Sequence, residues 1–189
     1  MDKVQRALNT AYTIHKNQKR KRSQTPYFVH IIDTAKYLMY ETRDEDIISA
    51  GLLHDALEDT NYSEEELKKD FGERVYKLVK FCTEKENKPN NTDEEQKKTW
   101  RMRKEKTIKK IENATEEQAL VLCADKTSNL LSMNEDLSSD EKLWDKFNGT
   151  KKEVQWYYEE IERELEKKIK NNRIFKTYKE LNKKIKKNN

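Results

Sequence analysis

A chain of 189 residues with 33% hydrophobic and 40% charged side chains can hold one domain, and its apolar residues recur regularly enough to build a core. Three glycines and two prolines are too few for the turns of a β-sandwich or barrel, and Gly51, Gly72 and Gly149 lie too far apart for a phosphate loop. The formal net charge of +4 is uneven: residues 167–189 carry ten Lys/Arg against one acid, so the remaining 166 residues are net acidic.

In chain order the pattern is all-α. Val4, Ala7, Leu8, Ala11, Tyr12 and His15 keep helical spacing and mark a first helix. A basic, polar stretch from Gln18 to Gln24 leads to Thr25-Pro26-Tyr27. Proline disfavours helix in the residue before it, so a second helix starts after Pro26 and runs to about Tyr40. A third covers Asp44 to about Leu57; it is apolar nearly all round, which places it at the centre. Ser63 with Glu66 is a capping box that opens a short helix to Phe71. Gly72 ends that helix, and Val75, Leu78 and Val79 carry another to Phe81. Glu84 to Asn91 reads as an exposed loop. A long charged helix follows to about Ile111, and Thr115 caps one that is apolar from Leu120 to Ala124. Ser132 to Ser139 reads as a linker before the final amphipathic helices. Ile174, Tyr178, Leu181 and Ile185 share one face of the last of these, so the basic tail is expected to pack that face and solvate the other.

The expected organisation is a core over residues 1–138, with residues 139–189 as C-terminal helices packed on it. No apolar run reaches membrane-span length, and Met1-Asp2-Lys3 begins no signal peptide. Cys82 and Cys123 form neither a disulfide framework nor a zinc-ligand spacing. The expectation is a soluble, reduced, cytoplasmic protein.

The two most apolar helices contain polar groups that burial alone would exclude. One carries His54, Asp55, Glu58 and Asp59; the other carries Asp125, Lys126 and Asn129. Unpaired buried carboxylates are costly, so these call for a cation or for several hydrogen bonds. His30 adds a second imidazole near the start of the second helix. His30, His54, Asp55 and Asp125 together offer two nitrogens and two oxygens. That set suits Mn²⁺, Fe²⁺ or Zn²⁺ better than Ca²⁺, and leaves Mg²⁺ open. Glu58 stands one turn beyond His54, and Asp59 one turn beyond Asp55. Both are then near the ion without needing to bind it. Arg20 and Lys21, flanked by Lys19 and Arg22, form a cationic loop just before His30, placed to hold an anionic substrate. His15 reads as a core or hydrogen-bonded residue, Cys123 as core, and Trp100, Trp144 and Trp156 as core or interface.

The strings Gln18-Lys19-Arg20-Lys21, Thr25-Pro26-Tyr27-Phe28-Val29-His30, Leu53-His54-Asp55-Ala56-Leu57-Glu58-Asp59-Thr60 and Ala124-Asp125-Lys126-Thr127-Ser128-Asn129-Leu130 resemble the HD superfamily of metal-dependent phosphohydrolases. Within it they are similar to the hydrolase domain of the Rel/SpoT alarmone enzymes and to the stand-alone small alarmone hydrolases, over about residues 4–135. The resemblance implies a compact HD-domain helical bundle with additional C-terminal helices. It implies Mn²⁺-dependent removal of the 3′-pyrophosphate from ppGpp or pppGpp. It implies His30, His54, Asp55 and Asp125 as metal ligands, and Glu58 and Asp59 as the pair that orients or deprotonates the attacking water. Arg20, Lys21 and Asn129 match nucleotide contacts; Tyr27 and Arg103 are further contact candidates. The chain departs from the family at Ile31, where proline is usual, at Arg22-Ser23-Gln24, where a glycine is usual, and at Ser128, where His or Tyr is common; the last bears on base recognition.

The implied partner is a small nucleotide. A membrane is not expected, nucleic acid is disfavoured, and a homo-oligomer is left open. Two other functions compete: an HD phosphohydrolase acting on another nucleotide (a nucleoside monophosphate, a dinucleotide or a nicotinamide-nucleotide phosphate), and an RNA-binding protein that uses the Lys-rich tail. The complete ligand set weighs against the second.

Overall fold

The computed structural model describes residues 2–20, 24–84, 92–138, 144–145 and 147–187. Among them are ten helical segments: α1 (Lys3–His15), α2 (Tyr27–Glu41), α3 (Glu45–Leu53), α4 (Ala56–Asp59), α5 (Glu64–Phe71), α6 (Glu73–Cys82), α7 (Asp93–Glu112), α8 (Glu116–Leu137), α9 (Lys151–Ile169) and α10 (Arg173–Lys187). The one extended pairing among the described residues is a bridge between Lys19 and Pro26, so the all-α class holds. No helix among them is long and apolar enough to cross a membrane.

Side-chain caps set most helix starts. Asp2, Asp44, Ser63, Thr92, Thr115 and Thr150 each accept a backbone N–H of the first turn, and the last four complete capping boxes with Glu66, Glu95, Gln118 and Glu153. Such a cap stabilises a helix by about 1 kcal/mol. In a chain with this much charge, the caps define ends that periodicity leaves vague.

α8 is the axis of the molecule and packs against α2, α3, α6, α9 and α10. Every residue from Ala119 to Asp125 on it is buried, and so is every residue of α3 from Ile47 to Leu53. Gly51 lets α2 and α3 approach closely: a Cβ there would clash with Leu38 Cδ1. These contacts bring His30 on α2, His54 at the end of α3 and Asp125 on α8 to one place.

Three expectations are corrected. The third helix does not run on to Leu57. It stops at Leu53, and Asp55 takes φ −99°, ψ 1° before the single turn of α4. That is the sparsely populated bridge region, where active-site residues are common. Ser132 to Leu137 is not a linker, because α8 continues through it. Met133 is buried there, and Asn134 Nδ2 donates to the carbonyls of Leu130 and Leu181. Glu84 is not an exposed loop residue but an ion-paired one, with 11% of its side chain accessible. The remainder of that loop, residues 85–91, lies outside the described residues.

The basic end is folded as its pattern implies. Ile174, Phe175, Tyr178, Leu181, Asn182 and Ile185 of α10 are buried, and Tyr178 Oη donates to the Tyr158 carbonyl at 2.8 Å. Trp100 is buried against Tyr157.

Candidate metal centre

His30 and His54 point their Nε2 atoms at each other across 3.1 Å. Asp55 Oδ2 lies 2.9 Å from His54 Nε2 and 3.6 Å from His30 Nε2. Asp125 Oδ1 lies 3.4 Å from His30 Nε2 and 3.7 Å from His54 Nε2. One ligand atom from each of His30, His54 and Asp55 falls within 4.8 Å of the other two, and Asp125 closes the group from the α8 side. The structure therefore brings all four sequence-derived donors together.

The outer faces of both rings are occupied. His54 Nδ1 donates to the Gly51 carbonyl at 2.7 Å, which leaves the neutral ring with its lone pair on Nε2. His30 Nδ1 bonds Ser128 Oγ at 2.8 Å, and Ser128 Oγ in turn donates to the His30 carbonyl at 3.4 Å. That arrangement makes Nδ1 the donor and again leaves a lone pair on Nε2. Two lone pairs and two carboxylates aimed at one point are mutually repulsive until a cation stands between them. The donor set therefore fits a divalent ion, and nitrogen with carboxylate oxygen suits a transition metal. Without an ion, protons take part of that place. Burial works against charge on His54, but the neighbouring Asp55 and Asp125 carboxylates outweigh it and push its pKa up to about 9. Burial likewise opposes charge on Asp125, and Lys126 and the two histidines overcome it and hold the carboxyl below its ordinary range.

Tyr27, Arg20 and Asn129 join the centre. Tyr27 Oη reaches Asp55 Oδ2 at 2.6 Å and Asp59 Oδ2 at 3.1 Å. Burial and those two carboxylates raise its pKa well above the ordinary value, so it remains a donor. Arg20 Nη2 donates to Asn129 Oδ1 at 2.7 Å, and Asn129 Nδ2 donates to Asp125 Oδ1 at 2.6 Å. The Arg20 guanidinium also lies over the Tyr27 ring, 5.6 Å from its centroid. Glu58 and Asp59 sit on α4, immediately after the ligands, and Glu58 Oε2 accepts the backbone N–H of Glu84 at 2.8 Å. Arg103 is buried, bound to Glu84 at 2.6 Å, and not brought among the four donors. Lys21 lies outside the described residues.

Sequence reasoning missed Gln18, the Glu84 group and the contact of Ser128 with His30. Ser128 is buried against His30, so its departure from the family acts on a candidate ligand. Gln18 joins His15 to α4. Glu84 collects Arg103, Lys104 at 2.7 Å and Thr107 at 3.3 Å. Lys126, nearby, pairs with Asp125 Oδ2 at 2.6 Å and leaves Oδ1 to the histidines. No signal in the sequence sets Glu84 apart, because Glu86 stands two positions on and α7 opens with Asp93, Glu94 and Glu95.

A family model described as HD domain matches residues 7–148. The chain belongs to the HD domain family. This HD protein is 45% identical over 82 residues to an Aquifex aeolicus protein named guanosine-3′,5′-bis(diphosphate) 3′-pyrophosphohydrolase, covering 43% of this chain but 12% of that one. It is 36% identical over 134 residues to the Drosophila melanogaster protein of that name designated MESH1, covering 68% of each. Among solved structures, one titled a metazoan ortholog of SpoT that hydrolyzes ppGpp superposes with a TM-score of 0.73 at 25% identity, covering 96% of this chain and 94% of that one. A Listeria monocytogenes crystal structure superposes at 0.70 with 31% identity, covering 85% and 97%.

Proposed function

We propose that this HD protein removes the 3′-pyrophosphate of ppGpp or pppGpp, releasing GDP or GTP and pyrophosphate, with Mn²⁺ as its ion. The observation that carries the reading is the convergence of His30, His54, Asp55 and Asp125, in a chain whose relatives bear that activity in their names. Those four residues would hold the ion. A bound divalent cation supplies positive charge to phosphoryl oxygens and lowers the pKa of water.

The chain's own residues account for the rest. Glu58 or Asp59, on the turn after the ligands, accepts the proton of the attacking water as its oxygen bonds to phosphorus. The bond from phosphorus to the 3′ oxygen breaks, and the same carboxylic acid can return the proton to that oxygen. Tyr27 orients Asp55 and Asp59 through its hydroxyl. Arg20, steadied by Asn129, offers N–H groups to an anionic nucleotide, and Lys21 extends the same cationic loop. We take residues 1–138 as the hydrolase core and 139–189 as the helices that complete its packing. A cytoplasmic location follows from a nucleotide substrate of this kind.

A nucleotide panel tests the reading. Purified protein is incubated with ppGpp, pppGpp, nucleoside monophosphates, dinucleotides and nicotinamide-nucleotide phosphates under Mn²⁺, Fe²⁺, Zn²⁺ or Mg²⁺. Pyrophosphate release from ppGpp with Mn²⁺ is expected. Orthophosphate release, or turnover confined to another nucleotide, replaces this substrate with that one.

A further inference from the structure

We propose that Gln18, oriented by His15, is a positioning residue for the turn that carries Glu58 and Asp59; the inference rests on the hydrolase reading above. Gln18 ties three segments together with four hydrogen bonds. Its N–H donates to the His15 carbonyl at 2.9 Å, and its carbonyl accepts from Tyr27 N–H at 2.9 Å. Its side-chain Oε1 accepts from His15 Nδ1 at 2.7 Å, and its Nε2 donates to the Asp59 carbonyl at 2.7 Å.

The direction of that amide is dictated. A carbonyl can only accept, so the NH₂ end faces Asp59 and the oxygen faces His15, whose Nδ1 must then carry the proton. Burial keeps the His15 ring neutral, holding its pKa below the ordinary value. The cost is visible at the other nitrogen, because His15 Nε2 is buried without a hydrogen-bond partner. A phenylalanine would fill the site with no such penalty. What histidine supplies and phenylalanine lacks is the N–H that fixes Gln18. The same ring stacks on Tyr27, with centroids 5.4 Å apart and planes 26° apart, and Tyr27 holds Asp55 and Asp59. His15, Gln18 and Tyr27 are thus one layer beneath α4.

α4 needs that layer. It has four residues, too few for a helix to sustain itself, and its last carbonyls have no partner within the helix. Thr60 Oγ1 caps the Ala56 carbonyl at 2.6 Å, and Gln18 caps that of Asp59. The placement of Glu58 and Asp59 relative to His54 and Asp55 is therefore set from outside, and small misplacements of reacting groups are costly.

Three variants test this. Gln18→Glu keeps the shape and the acceptor for His15 but cannot donate to Asp59. It should lower kcat about 10-fold or more while leaving KM and bound Mn²⁺ within about 2-fold. His15→Asn retains an N–H near the Nδ1 position and should keep most of kcat; His15→Phe should lose as much as Gln18→Glu. Amide hydrogen exchange at residues 56–60 supplies a readout free of turnover: faster in Gln18→Glu and His15→Phe, unchanged in His15→Asn. The proposal is overturned by unchanged exchange there, by equal behaviour of the two His15 variants, or by undiminished kcat per metal-loaded molecule in Gln18→Glu. A wild-type protein that turns over no nucleotide sinks the hydrolase reading instead, and the exchange data still decide the role of Gln18 in holding α4.

Discussion

The Nε2 atoms of His30 and His54 face each other at 3.1 Å while the Nδ1 atom behind each is already bonded, to Ser128 Oγ and to the Gly51 carbonyl. Rings held in that way can turn two Nε2 lone pairs to the same point as Asp55 and Asp125. A bound divalent ion should therefore stabilise the fold. At an ion concentration a hundredfold above its Kd the gain is about 2.7 kcal/mol. Thermal melting with and without Mn²⁺ measures it, and EDTA should reverse it. Asp125→Ala should abolish the gain; an equal rise in Tm for that variant would place the ion elsewhere. Ser128→Ala removes only the hydrogen bond behind His30, and should weaken Mn²⁺ binding about 10-fold in a calorimetric titration.

Glu58 separates metal binding from chemistry. Its carboxylate is on α4, accepts the Glu84 N–H, and is not among the four donors. Glu58→Gln should retain full metal content and a near-native Tm, while kcat falls about 10²–10⁴-fold, the usual span for a lost general base. Full turnover in that variant would assign the proton transfer to Asp59, and Asp59→Asn would then show the loss.

The four donors were legible in the sequence because histidine and aspartate are conspicuous inside apolar runs such as Leu52-Leu53-His54-Asp55 and Leu122-Cys123-Ala124-Asp125. Their supports were not. Ser128 meets His30 across 98 positions and Gln18 meets Asp59 across 41, and a serine or glutamine carries no periodicity to announce a partner. The break after Leu53 was illegible for a related reason: no glycine or proline marks it, and only the packing of His54 among its neighbours does. Asn134 misled in the opposite direction. Polar composition around it reads as a linker, whereas its amide ties α8 to α10 through the Leu181 carbonyl.

Glu84 should make stability depend on acid. Burial raises its pKa, but Lys104, Lys126 and Arg103 outweigh burial and bring it down to about 2 from the ordinary 4.5. A depressed carboxyl stabilises the fold above its unfolded pKa, and that contribution disappears as pH falls through the folded value. The window is therefore about pH 4.5 down to about 2, and the contribution above it is about 3 kcal/mol. Glu84→Gln should lose about that much at pH 7, because it leaves buried cations unpaired. Urea unfolding at several pH values checks this. The gap between wild type and Glu84→Gln should narrow steadily below pH 4.5; a gap independent of pH would mean the ionised carboxylate is not what holds Arg103 and Lys104.

Arg20 reaches the metal centre by a hydrogen bond to Asn129, besides lying over the Tyr27 ring. Its Nη2 donates to Asn129 Oδ1 at 2.7 Å, and the Asn129 amide then donates to Asp125 Oδ1, the oxygen that faces both histidines. The two residues should therefore act as a unit on an anionic substrate. Arg20→Ala and Asn129→Ala should each raise KM, and the double variant should raise it by less than the product of the single effects, with a coupling of about 1 kcal/mol in the double-mutant cycle. Arg20→Lys should restore little, since an ammonium cannot bond Asn129 and a phosphate with the same planar fork. Asn129→Ala should also weaken Mn²⁺ binding, because Asp125 loses the group that turns Oδ1 inward, whereas Arg20→Ala should leave it near the wild-type value. Strictly additive effects on KM would show that Arg20 meets the substrate without help from Asn129.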